Sequence, residues 1–287
     1  MSNLFTRLFL LLQKLLPQHG LSRLAGKLAN SENSLVRKLF ISIFCRAFDV
    51  DLSEAERESP GDYKHFNDFF TRSLKPAARP IDSDSSLVVS PADGTVSQAG
   101  TIEQHLLLQA KNHFYSLDDL LAGDSVLANR FCSGSFAAIY LSPRDYHRVH
   151  MPIEGRLVKT IYVPGKLFSV NAATTEHLPG LFANNERLIC LFETEVGLVA
   201  QILVGAMIVA AIDTVWTKRP SPTPGYPVID EEHQGLKLKK GVEMGRFSLG
   251  STVILLFENN AVALNRNLLP GVKLRMGSNI ATVIPAR

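Results

Sequence analysis

The hydrophobic and polar positions divide the sequence into a helical beginning and a longer β-rich remainder. Between residues 4 and 16, apolar side chains recur every three or four positions, and Arg7 and Lys14 fall on the other side. This spacing predicts an amphipathic helix. Residues 21–29 repeat the pattern more weakly, and a third helix is predicted from Glu32 to Phe48.

A second texture begins at residue 86, where short apolar runs alternate with turn dipeptides such as Asp93-Gly94 and Asn259-Asn260. Such runs predict short strands. The stretch 221–241 is Pro-rich and then charged, which is typical of an exposed loop. The predicted strands cover residues 87–89, 136–141, 157–163, 188–192, 196–204, 207–215, 252–257 and 261–264.

The polar stretch 51–85 contains several prolines and separates the two textures, although Tyr63 to Leu74 can form one more helix. The sequence therefore predicts an α+β protein, with N-terminal amphipathic helices followed by a β-rich barrel or sandwich. We place a helical segment at residues 1–75 and a β-rich domain at residues 76–287.

Charge is distributed unevenly along the chain. The net charge of +3 over 287 residues is too small to indicate a nucleic-acid partner. Basic side chains collect before residue 50, where only Glu32 and Asp49 oppose them: Arg7, Lys14, Arg23, Lys27, Arg37, Lys38 and Arg46. Basic helices with broad Leu and Phe faces suit an anionic membrane surface. Packing of these faces on the protein core is the alternative, and the one-sided charge favours the membrane.

Secretion and membrane spanning are not predicted. Lys14 interrupts the first apolar run, Pro17 ends it, and no stretch approaches the roughly 20 apolar residues of a spanning helix. Cys45, Cys132 and Cys190 match no disulfide or metal framework, so reduced thiols in a cytosolic compartment are expected.

Three segments carry candidate chemistry. In the first, Gly250-Ser251 leads directly into an apolar strand. An ordinary turn is one interpretation. In the other, the Ser251 hydroxyl attacks the carbonyl of the peptide bond before it, which requires unusual backbone geometry at a glycine and a base for the proton.

The second and third segments offer that base and a carboxylate. His147 and His150 stand three apart, so on extended chain they face opposite sides, and they lack the further ligands of a metal site. Asp93 belongs to a plain Asp-Gly turn, or it orients a histidine as in a Ser-His-Asp arrangement.

Taken together, these motifs resemble those of the phosphatidylserine decarboxylase family. The processing motif corresponds to residues 249–252, the histidine motif to 146–152 and the aspartate motif to 91–94, with no departure at the chemical positions. The likeness extends over most of the chain, through residues 66–72, 164–171, 185–187 and 204–206.

The resemblance implies a self-cleaving enzyme in which Asp93 orients His150 and His150 takes the proton of Ser251. Cleavage between Gly250 and Ser251 yields a β chain of residues 1–250 and an α chain of residues 251–287. Ser251 becomes a covalent pyruvoyl group, which forms a Schiff base with the substrate amine, so neither a separate cofactor nor a metal is expected. His147 is the candidate for returning a proton to the product, because a histidine titrates near neutral pH.

The implied substrate is phosphatidylserine, and the product is phosphatidylethanolamine. The expected partners are the anionic membrane surface and the two fragments bound as a heterodimer, with further dimerisation left open. The expected location is peripheral, on the cytoplasmic face of the inner membrane. The alternatives are a pyruvoyl-dependent decarboxylase of another amine-bearing carboxylate or head group, a β-rich binding domain, and a serine hydrolase, whose usual Gly-x-Ser-x-Gly turn is absent around Ser251.

Overall fold

The computed structural model of the protein describes residues 8–13, 16–110, 113–206, 212–217, 229–233, 235–248 and 251–285. Residues 8–13 are helical, as predicted, and the rest of the first predicted helix lies partly outside the described residues. The helices that follow are α1 (Gln18–Ala29), α2 (Ser34–Phe48) and the short α3 (Phe66–Phe70), with a 3₁₀ turn at Pro60–Asp62. Helix α3 covers only part of the range predicted from Tyr63 to Leu74.

Local chemistry fixes the ends of α2. The Asn33 side chain accepts hydrogen bonds from the backbone N–H groups of Leu35 (3.1 Å) and Val36 (3.2 Å), which satisfies two of the free donors of the first turn. Asp49 adopts the left-handed conformation and ends the helix. Among the described residues, no helix combines the length and the apolar character needed to cross a membrane.

An aromatic cluster joins α2 to α3. Phe66, Phe69 and Phe70 of α3 are fully buried, and the Phe44 ring of α2 meets all three with centroids 5.0–6.0 Å apart. These edge-on contacts bury the inner side of α2. The outer side of the helix stays in solvent, where Leu35 is 79% exposed and Leu39 is 64% exposed.

The remainder of the chain is mostly strand. Its elements are β1 (Leu87–Val89), β2 (Gly94–Thr101), β3 (Leu106–Ala110), β4 (His113–Ser116), α4 (Leu117–Leu120), α5 (Ser125–Phe131), β5 (Ser135–Leu141), β6 (Arg148–His150), β7 (Gly155–Val163), α6 (Ala172–His177), α7 (Leu181–Asn184), β8 (Arg187–Thr194), β9 (Gly197–Val204), β10 (Ile212–Thr214), β11 (Ile229–Glu232), β12 (Lys237–Leu238), β13 (Glu243–Phe247), β14 (Ser251–Phe257), β15 (Val262–Leu264), β16 (Lys273–Leu274) and β17 (Asn279–Val283).

One large antiparallel sheet organises this part, in the order β11-β7-β8-β9-β14-β5-β2-β16, with β12 also paired to β7. Strand β14 lies inside it, and all seven of its residues are buried, because both faces of the sheet are covered. One face packs against the small sheets β10-β13-β6 and β1-β17-β15, and the other against α4, α5 and α7.

The α+β prediction is confirmed. The strands form several antiparallel sheets, and the large sheet does not close into a barrel within the described part of the chain. The prediction of a loop over 221–241 is wrong in part, because β11 and β12 both pair with β7 there. Strand β11 reads Ile-Asp-Glu-Glu, and a polar edge strand of this kind lacks the apolar alternation that marks a strand. Of the strand predicted over 207–215, residues 207–211 lie outside the described residues.

Candidate active site

Ser251 is the first residue of β14 and is fully buried. It pairs with Leu141 of β5, and its Oγ has no hydrogen-bond partner. A buried hydroxyl without a partner costs stability, which makes Ser251 a candidate for a functional role. Gly250, the other residue of the predicted cleavage site, lies outside the described residues.

His147 lies at the same end of the sheet. Its ring is fully buried and stacks on Phe70 with centroids 4.0 Å apart. The ring Nε2 is 3.1 Å from the carbonyl oxygen of Ser142, the residue that follows the sheet partner of Ser251. Because a carbonyl only accepts, Nε2 carries the hydrogen, and Nδ1 is left as a buried acceptor without a partner.

Burial, with a smaller contribution from the positive charge of Arg72, lowers the pKa of His147 to about 3. The imidazole is therefore neutral at physiological pH. The reason given for His147 from the sequence, titration near neutral pH, does not apply in this environment. Its role in proton return stays a prediction and has to operate through a neutral ring.

Arg72 holds the histidine loop in place. It is almost completely buried, and its Nη2 donates to the carbonyl oxygens of Arg144 (3.0 Å) and Asp145 (3.3 Å). The Asp145 carboxylate in turn accepts from the backbone N–H and the hydroxyl of Ser142, each at 2.7 Å. These bonds order the loop that carries His147 from the helical side of the molecule. Arg72 was identified in the sequence only as part of a motif, without a role.

His150 lies in β6 with most of its ring buried. Its Nδ1 is 2.8 Å from the carbonyl oxygen of Gly241, so Nδ1 donates, and Nε2 accepts from the Tyr146 hydroxyl at 3.1 Å. Burial lowers the pKa of His150, while the negative charges of Glu243 and Asp93 act in the opposite direction. The backbone N–H of His150 donates to Pro91 (2.8 Å), which brings the aspartate motif alongside.

Asp93 is engaged elsewhere. Its carboxylate makes a two-pronged ion pair with Arg79, with Nε to Oδ1 at 2.8 Å, and also accepts from the backbone N–H of Met276 at 2.7 Å. The structure thus brings the aspartate and histidine segments together. The hydrogen bonds described for Asp93, His150 and Ser251 do not link the three into a triad, so their joint role stays a prediction.

Comparison with known proteins shows which family the chain belongs to. The model of the family described as phosphatidylserine decarboxylase matches residues 66–282, and a second family model, PSD, matches residues 8–49. The chain belongs to the phosphatidylserine decarboxylase family. The resemblance inferred from the motifs is confirmed, as is the prediction that the protein is an enzyme of this type.

Curated relatives span nearly the whole chain. The phosphatidylserine decarboxylase proenzyme of Azotobacter vinelandii is 53% identical and covers 96% of this chain and 97% of its own. That of Alcanivorax borkumensis is 53% identical over 94% of both chains. That of Hahella chejuensis is 48% identical over 98% of this chain and 96% of its own.

Two further members of the family motifs are buried beside this end of the sheet. Arg187 donates to the carbonyl oxygens of Leu120 (2.7 Å) and Ala183 (2.5 Å), which ties α4 and α7 to β8. Glu186 is 3% exposed and its Oε2 lacks a partner. A charged residue directly before an apolar strand was the available signal for both. In the described part of the chain, no three His, Cys, Asp or Glu side chains converge to hold a metal ion.

Proposed function

We propose that this protein decarboxylates phosphatidylserine to phosphatidylethanolamine, with a pyruvoyl group that it makes from its own Ser251. The observation that carries the proposal is the Ser251 hydroxyl, fully buried and without a hydrogen-bond partner at the start of a central strand. Membership of the phosphatidylserine decarboxylase family and the naming of the relatives as proenzymes support it.

The pyruvoyl group arises by self-cleavage. Ser251 Oγ attacks the carbonyl carbon of Gly250, and the peptide bond becomes an ester. Elimination then separates the pieces: residues 1–250 keep a free carboxylate on Gly250, and residues 251–287 begin with dehydroalanine. Addition of water and loss of ammonia leave the pyruvoyl group. Ser251 suits this attack because no other group competes for its hydroxyl.

His150 takes the Ser251 proton in this proposal. For that, its Nε2 exchanges the bond to the Tyr146 hydroxyl for one to Ser251. The carbonyl oxygen of Gly241 holds Nδ1 as the donor and so keeps Nε2 as the acceptor. Asp93 acts by its negative charge, which favours the positive ring that the transfer creates.

Once formed, a pyruvoyl carbonyl supplies a site for the substrate amine and a sink for the electron pair left by carbon dioxide. The protein supplies the surroundings. Ser251 starts a strand that is hydrogen-bonded on both sides, to β5 and β9, so residue 251 is held in place and shielded from water.

The two fragments remain together as a heterodimer. Strands β14, β16 and β17 belong to residues 251–287, and they pair with β5, β9, β2 and β1 of residues 1–250. Removing the smaller fragment would open the large sheet along β14 and expose its buried apolar residues.

The helical part lies on the cytoplasmic face of the inner membrane as a peripheral anchor. Its exposed apolar side chains are Leu8, Leu11, Leu12, Leu16, Leu24, Leu28, Leu35, Val36, Leu39, Phe40, Ile43 and Phe48. A surface of this size is unusual in a protein that meets only water, and the basic residues of the same helices suit anionic lipid. The reacting head group is then within reach without extraction of the acyl chains.

The first test is the mass of the purified protein under denaturing conditions. We expect two pieces, residues 1–250 and residues 251–287, with the smaller one carrying a pyruvoyl-blocked N-terminus. An intact chain that still decarboxylates phosphatidylserine in vesicles would overturn the proposal, because its activity would not require the cleavage.

A further inference from the structure

Glu186 and Ser251 face each other across one row of the large sheet. Arg187 pairs with Val204, and Val204 pairs with Thr252. The row one step further contains Glu186, Gly205 and Ser251, and Gly205 N–H donates to Glu186 O at 2.8 Å. Residues directly across a sheet share a face, so the side chains of Glu186 and Ser251 lie on the same face. Their Cα atoms are two strand spacings apart, about 10 Å.

Gly205 leaves the space between them without a side chain. A Cβ at this position would lie 3.4 Å from the carbonyl oxygen of Glu186, 3.6 Å from Leu167 Cδ2 and 3.8 Å from Ile212 Cδ1. These are ordinary van der Waals distances, so the gap over Gly205, bounded by Leu167 and Ile212, has room for one methyl-sized group. An ammonium nitrogen is of that size, and Glu186 and Ser251 lie on either side of Gly205 in the same row.

Few groups near the Glu186 carboxyl stabilise its charged form. Burial raises its pKa to about 7, against a hydrogen bond from the Tyr162 hydroxyl that acts in the lowering direction. The charged neighbours along the chain do not pair with it, because Lys166 is exposed and Arg187 donates to carbonyl oxygens of α4 and α7. Leu203 of β9 and Gly205, the residue after that strand, carry no charge. A buried carboxylate in such surroundings attracts a cation with N–H donors.

The membrane-facing helices reach the same end of the sheet. The backbone N–H of Leu167 donates to the Gln18 side chain at 2.8 Å, and that of Ser169 donates to Gln13 at 2.7 Å. Leu167 thus touches both the proposed anchor and the gap over Gly205.

We propose that Glu186 is a catalytic base that takes one proton, at Oε2, from the ammonium group of the amine-bearing substrate as it enters the gap over Gly205. The ammonium group becomes a neutral amine with a free electron pair, and the carboxylate becomes a carboxylic acid. Only the neutral amine can add to a carbonyl carbon at residue 251. This inference rests on the proposed function and adds the residue that recognises the amine.

The test compares Glu186→Gln with wild type and with the control Glu193→Gln, which changes an exposed glutamate on the same strand. Two probes are used at neutral pH: hydroxylamine, which is already neutral, and ethanolamine, which is protonated. Capture of each on fragment 251–287 is followed by mass, with cyanoborohydride present for ethanolamine.

We expect Glu186→Gln to cleave itself and to react with hydroxylamine at the wild-type rate. Its capture of ethanolamine should be about 100-fold slower, the lower end of the effect of losing a positioned proton-transfer group. The difference should shrink at alkaline pH, where ethanolamine loses its proton unaided. Unchanged capture of ethanolamine would overturn the role of Glu186. Absence of hydroxylamine capture in wild type would instead overturn the proposed function.

If Glu186→Gln fails to fold, Tyr162→Phe decides the question. Loss of the Tyr162 hydrogen bond raises the pKa of Glu186 further, so the rise of ethanolamine capture with pH should move to higher pH. A pH profile identical to that of wild type would exclude Glu186 as the base. Phosphatidylserine turnover in vesicles should show the same shift.

Discussion

The helical part and the end of the large sheet that carries Ser251 depart from the usual distribution of apolar and polar groups in opposite ways. Helix α2 leaves Leu35 and Leu39 more than half exposed, where a water-soluble surface would carry polar groups. The sheet does the reverse, because Ser251 Oγ, His147 Nδ1 and Glu186 Oε2 are buried without hydrogen-bond partners. Both departures cost stability.

The difference indicates what each region meets during function. Under the proposed function, the exposed apolar side chains enter lipid, and the unpartnered buried atoms receive a reacting group. At the opposite end of the same sheet, Glu193 of β8 is exposed and pairs with Arg156. Perturbing each region in turn therefore separates the two kinds of partner.

Ser251→Ala should have the largest effect. Without the hydroxyl no ester can form, so we expect a single uncut chain with no decarboxylase activity. The substitution also removes an unpartnered buried hydroxyl, so the uncut chain should fold at least as stably as wild type. Mass analysis and a vesicle assay of carbon dioxide release measure the two results.

The control for this experiment is Ser97→Ala, which alters a partly buried serine of β2 in the same sheet. It should cleave and turn over normally. An active Ser251→Ala protein would refute the pyruvoyl mechanism, because the carbonyl would have to come from elsewhere.

His147→Ala ranks next. The described side-chain contacts of His147 are with Phe70 and with the Ser142 carbonyl, rather than hydrogen bonds to the proposed triad, so cleavage should proceed at least in part. Turnover should fall by about 100-fold, as when a positioned proton-transfer group is lost. Fragment yield and carbon dioxide release are compared with His177→Ala, a change at an exposed histidine of α6. Normal turnover of His147→Ala would remove it from the proton-return step.

Much of the fold was accessible from sequence because its determinants are local. Eight short apolar runs predicted strands, and seven lie wholly within described residues; β1, β5 and β14 match to within a residue or so. Strand β2 was missed because Gly94, Ser97 and Gly100 dilute its pattern. Its conformation comes from pairing with β5 over the length of the strand, a tertiary interaction that propensity does not contain.

The site was only partly accessible for a similar reason. The motifs identified Ser251, His147, His150 and Asp93 as candidates, but they do not predict the hydrogen bonds of these residues. The ion pair between Arg79 and Asp93 joins residues 14 positions apart in the chain. The neutral state of His147 depends on its burial in the core, where its ring contacts a carbonyl five positions away. Neither can be deduced from the motifs. Glu186 shares a row with Ser251 only through the register of three strands.

Glu186→Gln should reveal the cost of the buried carboxyl through its pH dependence. The folded pKa of about 7 lies above the unfolded value of about 4.3. As pH rises between these values the unfolded chain ionises while the folded one does not, so wild type loses stability and the loss is complete above the folded pKa. The difference between the two pKa values corresponds to at most about 4 kcal/mol of unfolding free energy.

The glutamine variant lacks this loss, so its advantage in unfolding free energy should grow across that pH window and then level off. Urea unfolding in the uncut Ser251→Ala background measures the difference for a single chain. A constant difference between acidic and neutral pH would mean that the Glu186 carboxyl titrates in the folded protein as it does in water.

Leu39→Gln on the exposed face of α2 should have the smallest effect on the folded protein and still separate the two regions. Leu39 is 64% exposed, so we expect the unfolding free energy to change by no more than about 0.5 kcal/mol. If the side chain enters lipid, half of the burial energy of a leucine, about 1.4 kcal/mol, is lost from membrane binding, which is about tenfold in partitioning.

The matched control is Leu269→Gln, because Leu269 is 59% exposed in the β-rich part. Sedimentation with anionic vesicles should show weaker binding for Leu39→Gln alone; equal binding of the two variants would mean that this face of α2 meets water rather than lipid.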